Sequence, residues 1–164
     1  MTTKFGVSNH YLNRILYSLP LKRYRGCFAI DNVPISQLSI PSSIICNLSR
    51  RGTVGSHFIV LHIDRRQITL QDSFGKLGWM LSNDLKKLVK QLCSAFQLPF
   101  KIVNETAVQD EQSDFCGFFA MQFVLEKEIP RRQTKKLIRR WKPRQLQKND
   151  FIVIENIINL IKTF

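Results

Sequence analysis

An imidazole, a carboxylate, a carboxamide and a thiol stand in the order His57, Asp72, Gln109, Cys116, a set from which acyl-transfer chemistry can be built. A thiol attacks a carbonyl only as thiolate, a form favoured at a helix N-terminus and beside an imidazolium. The run Cys116 to Leu125 follows a polar, irregular stretch from Val108 to Phe115 and reads as a mostly buried helix with Cys116 in its first turn. His57 opens the run to Ile63, which predicts a strand, and a tight turn over 64–67 leads into a second strand, Ile68 to Asp72. In an antiparallel pair, the residue beginning the first strand lies beside the residue ending the second. His57 and Asp72 therefore meet at one end of a hairpin. His57 would hold the proton, Asp72 would orient the ring, and Gln109 would donate to an oxyanion.

The same residue types admit plainer roles. Asp72 also suits a turn before Ser73, and Glu111 and Asp114 serve either loop solvation or a substrate-side charge. Cys27, Cys46 and Cys93 read as small buried hydrophobes. His62 points to the opposite strand face from His57 and reads as structural, His10 as a surface residue.

The elements that must position this set follow from the rest of the chain. Its 164 residues predict one domain over 1–164, and 44% hydrophobic residues with 12 Phe exclude disorder and collagen-like repeats. No apolar run reaches the roughly 18 residues of a membrane span, and the N-terminus lacks a signal-peptide core, so an intracellular protein is expected. Four scattered cysteines without a Cys-x-x-Cys pair, and three histidines, predict free thiols in a reducing compartment and no metal. Ser8 caps an opening helix that Pro20 stops; residues 21–43 read as a long ordered loop with one turn near Pro34 to Leu38. Strands are expected over 44–48, 57–63, 68–72 and 100–104, and a helix capped by Ser82 runs to about Phe96. This is an α+β fold: a small mixed or antiparallel sheet with helices around it.

The part from about 130 to 164 reads as helical and basic. A helix over 131–140 would repeat Arg131/Arg132, Lys135/Lys136 and Arg139/Arg140 every four residues as one cationic stripe, and a last amphipathic helix is expected over 150–162. With a net charge of +13, this stripe predicts salt-dependent phosphate contacts with DNA, without sequence reading; a nuclear-import signal is the alternative.

Three segments in this order resemble the adenain family of viral cysteine endopeptidases and, more distantly, the SUMO-specific proteases. Gly55-Ser56-His57, entering an apolar strand, is similar to the family's glycine-preceded histidine. Gln71-Asp72-Ser73-Phe74-Gly75 resembles the acid that follows the hairpin, and Gln109 to Cys116-Gly117 resembles the glutamine, spacer and Cys-Gly helix start. Weaker similarity reaches back to Arg25-Gly26-Cys27-Phe28 and the opening helix, so it covers roughly 8–126.

The resemblance implies Cys116 as nucleophile, His57 as base and acid, Asp72 as its orienter, and Gln109 with the Cys116 N–H as oxyanion hole. Gly117 suits a helix start that a substrate backbone approaches. Phe58 stands where the family has Trp, and Asp72 where adenain has Glu. Phe100-Lys101-Ile102 occupies the region of the activating disulfide of the adenovirus protease, so no covalent peptide is expected, although DNA and a viral peptide remain implied activators. The implied activity is maturation of viral or virus-like-transposon structural precursors at Gly-Gly-type sites by a monomer without membrane partners, in the host nucleus or virion. The alternatives are an isopeptidase acting on ubiquitin or SUMO conjugates, and a basic nucleic-acid-binding module with an inert protease fold.

Overall fold

The computed structural model describes residues 7–52 and 57–164. Ser8 caps α1 (Asn9–Tyr17), its Oγ accepting from the Tyr11 N–H at 3.1 Å, and Leu12 and Leu16 form the helix's buried face. Five strands follow: β1 (Tyr24–Ala29), β2 (Ser42–Asn47), β3 (Phe58–Ile63), β4 (Ile68–Gln71) and β5 (Phe100–Ile102). Their order in the sheet is their order in the chain. The centre, β2 to β4, is antiparallel, and the two edges pair in parallel. The fold is α+β with a mixed sheet.

The central strands are buried on both faces, so alternate side chains feed two cores. Ile45, Phe58 and Val60 pack with α1, α4 (Cys116–Glu128) and α6 (Asn149–Ile161). Ile44, Cys46, Ile59, Leu61 and Leu70 pack against α3 (Asn83–Phe96), on Leu85, Leu88, Val89 and Leu92. The Ser82 hydroxyl accepts from the Leu85 N–H at 3.1 Å and starts α3 where the sequence places it. Most of α4 is buried, which fits its weak amphipathicity and fixes the direction of its N-terminus.

Three stretches depart from expectation. Residues 21–43 contain β1, an edge strand that pairs in parallel with β2 and is bulged around Gly26, whose φ is +132°. Residues 77–81 form a short helix, α2 (Leu77–Leu81), steadied by Trp79 stacked on Phe100 at 4.7 Å. The basic helix is shorter than expected: α5 spans Arg131–Leu137 only. There Ile138 turns into the core, and the fully buried Asn156 grips the next residue, accepting from the Arg139 N–H at 2.7 Å and donating to its carbonyl at 3.1 Å. Arg139 and Arg140 thus lie off the helix, and the four-residue recurrence ends at Lys135 and Lys136. Among the described residues, no helix is long and apolar enough to cross a membrane.

Candidate active site

Asp72 follows β4 and is fully buried. Its Oδ1 accepts from His57 Nε2 at 2.6 Å and from the Phe74 N–H at 2.8 Å. Continuing the β3–β4 register beyond Val60 and Gln71 sets His57 opposite Phe74, and the two rings stack at 4.5 Å. The imidazole is held by a carboxylate at one edge and an aromatic ring on one face. Gly55 and Ser56, the residues that lead into His57, lie outside the described residues.

Burial alone would lower the His57 pKa. The hydrogen bond to Asp72, the interaction with the Cys116 thiol and the negative charges of both outweigh it and push the value up to about 9. The imidazolium is then the resting form at neutral pH. The second ring nitrogen, Nδ1, is buried and makes no well-aligned hydrogen bond with a described residue, which leaves it for the thiol; such bonds are often long before substrate arrives.

Cys116 is the first residue of α4, partly exposed, with no side chain capping the helix. The N–H groups of Phe118 and Phe119 bond back to the Phe115 carbonyl. No described residue accepts from the N–H groups of Cys116 or Gly117, so the helix start presents donors beside the sulfur. Gly117 is crowded, but by this chain: a Cβ there would lie 2.0 Å from Val7 Cγ2. Val7, rather than open cleft, faces that position.

Gln109 is fully buried. Its Oε1 accepts from the Ser73 hydroxyl at 2.6 Å, and its Nε2 donates to the Ser113 carbonyl at 2.7 Å and to Ser113 Oγ at 3.3 Å. The Ser113 hydroxyl donates to Asp150 of α6 at 2.8 Å. The amide that the sequence assigns to an oxyanion hole is thus engaged by its own loop. Ser73 also accepts, through its carbonyl, from the N–H groups of Val108 and Gln109, so the acid loop and the glutamine loop are laced together.

The remaining candidates from the sequence lie elsewhere or act structurally. The His62 ring is held between Ser43 Oγ and Gln71 Oε1, each at 2.8 Å, and burial with the nearby Lys127 charge lowers its pKa to about 3, so it is neutral. Cys27 and Cys46 are buried, and burial raises the Cys27 thiol to about 12; Cys93 is only half-buried, on α3. Arg131, Arg132, Lys135 and Lys136 are exposed on α5, whereas the Arg139 guanidinium is held by Glu155 at 2.6 Å. Among the described residues, no group of three or more His, Cys, Asp or Glu could hold a metal ion. The sequence names Ser73 and Phe74 only as parts of the Asp72 motif and does not single out Ser113; the stacking of Phe74 on His57 and the grip of Ser73 and Ser113 on Gln109 come from the fold.

No protein-family model and no curated protein matches the chain. Among solved structures it is similar to the central domain of the uncharacterized Lpg1148 protein from Legionella pneumophila, with a TM-score of 0.51 and 13% identity over 96% of this chain and 93% of that one. At that identity the likeness is one of fold.

Proposed function

We propose that the chain is a cysteine endopeptidase with an adenain-like fold, in which Cys116 is the nucleophile, His57 the proton carrier and Asp72 its orienter. The observation that carries this reading is the buried 2.6 Å pair of His57 Nε2 and Asp72, which leaves Nδ1 for a cysteine at a helix N-terminus. In the resting pair the thiol proton already sits on Nδ1, leaving a thiolate and an imidazolium stabilised by Asp72. The thiolate attacks the scissile carbonyl carbon, and the Cys116 N–H donates to the oxyanion. Nδ1 then returns its proton to the leaving amine, and water hydrolyses the thioester with His57 as base. For Gln109 to add a second oxyanion donor, its amide must exchange Ser113 for the substrate oxygen.

The resemblance to adenain suggests viral or virus-like-transposon structural precursors as substrates, Gly-Gly-type cleavage sites, action in a host nucleus or virion, and stimulation by DNA bound to the exposed cations of α5. The amide of Gln109, held by Ser113, is the observation that favours a second reading: a basic nucleic-acid-binding module on an inert protease fold. Cleavage of ubiquitin-like conjugates is a further outcome that a substrate screen would separate.

Alkylation of Cys116, followed by mass spectrometry in the wild type and in His57→Ala, with and without duplex DNA, tests the reading. Near neutral pH the wild type should react at least about tenfold faster than the variant, and DNA should raise its rate. Equal rates in both proteins at every pH would overturn the catalytic assignment and leave the nucleic-acid reading.

A further inference from the structure

The position of Asp72 is set by groups outside the hairpin. The parallel β4–β5 pairing ends at Leu70 and Ile102, followed by a bond from the Val103 N–H to the Leu70 carbonyl. At the next rung the Asn104 side chain replaces a peptide: its Oδ1 accepts from the Asp72 N–H at 3.2 Å, and its Nδ2 donates to the Asp72 carbonyl. A carboxamide is a peptide-group isostere, so it continues the ladder while the Asn104 backbone is free to leave the sheet. On the other side, Asp72 Oδ2 is buried without a hydrogen-bond partner among the described residues, and it lies against Gly78 of α2. A Cβ built on Gly78 would sit 2.2 Å from that oxygen. The carboxylate therefore has one place to stand, between Asn104, which fixes its main chain, and Gly78, which leaves room for Oδ2.

We propose that Asn104 and Gly78 are positioning residues for Asp72, holding its Oδ1 on His57 Nε2. This rests on the protease reading. Neither residue touches a reacting atom; both act through the carboxylate, and thus on how firmly His57 keeps its proton. Asn104→Ala removes both main-chain bonds, and Gly78→Ala forces the carboxylate away from its site. Each variant, checked for folding by circular dichroism, should slow Cys116 alkylation at neutral pH by about tenfold or more and move the alkaline limb of the alkylation profile to lower pH. Neither substitution should have any further effect in an Asp72→Asn background, a result a merely structural role would not give. Folded variants with wild-type rates and limbs, equal losses in the Asp72→Asn background, or failure of both variants to fold would each overturn the assignment. If wild-type alkylation is itself independent of His57, the protease reading fails instead, and the two failures are told apart.

Discussion

A buried histidine normally gives up its proton, because burial penalises the charged form. His62 does so and stays neutral, whereas His57 keeps its proton because its interactions with Asp72 and Cys116 outweigh burial. That contrast has a thermodynamic consequence. The folded-state pKa of His57, about 9, lies above the roughly 6.5 of an unfolded histidine, so the native state binds this proton more tightly. The resulting stabilisation is fully present below about pH 6.5 and is lost as pH rises through about 9. The melting temperature of the wild type should fall over that window relative to His57→Gln, which lacks the titration; parallel curves would show that His57 carries no raised pKa. The pairing of His57 with Asp72 is legible in the chain because a hairpin is a local object: counting back from the turn at 64–67 brings the two residues to one end. The roles of Asn104 and Gly78 are not, because they depend on where β5 and α2 return to the hairpin, and nothing in a lone Asn or Gly announces a long-range contact.

Elements with strong local signals form where expected: α1 and α3 on their serine caps, α4 on its apolar run, β3 on its β-branched run. Elements that depend on distant partners do not announce themselves. The strand β1 is an edge strand with a bulged glycine and a parallel partner, and α2 is one turn and a half anchored by a tryptophan stacked on β5. The basic segment reads too long for a related reason: helical periodicity persists through Arg140, but Asn156 and the core claim the chain at Ile138 and Arg139. The helical part of the proposed DNA face is accordingly the α5 surface alone. Charge reversal at Arg131, Arg132, Lys135 and Lys136 should weaken duplex binding steeply and flatten the salt dependence by roughly one unit of slope for each phosphate left without its cation. Arg139→Glu should do less, since its guanidinium already serves Glu155. Fluorescence anisotropy at several salt concentrations measures both; an equally large effect of Arg139→Glu would mean that the salt bridge opens on binding and that the face extends beyond α5.

Across the whole molecule, the C-terminal helices are bound to the candidate site by polar hooks as well as by apolar packing. Asn149 Nδ2 donates to the Val108 carbonyl at 2.7 Å, beside Gln109, and Asp150 accepts from Ser113. Asn156 Nδ2 donates to both the Arg139 carbonyl and Gln122 Oε1 of α4, and both side chains are fully buried. Fully buried polar groups left without partners are costly, so these bonds couple the basic part to the part that carries Cys116. Asn156→Ala strands the Arg139 N–H and carbonyl and a Gln122 oxygen, and should destabilise the protein by about 2 kcal/mol or more. The two tryptophans report on the two parts separately, Trp79 on α2 near Asp72 and Trp141 against Phe119 in the C-terminal part. In Trp79→Phe and Trp141→Phe proteins, each left with one indole, urea unfolding should give coincident transitions that Asn156→Ala shifts together, as a single cooperative unit requires. A transition at Trp141 that precedes the one at Trp79 would instead mean that the basic helices open on their own, and that the loop from Gln109 to Phe115 is held in place only while they are closed.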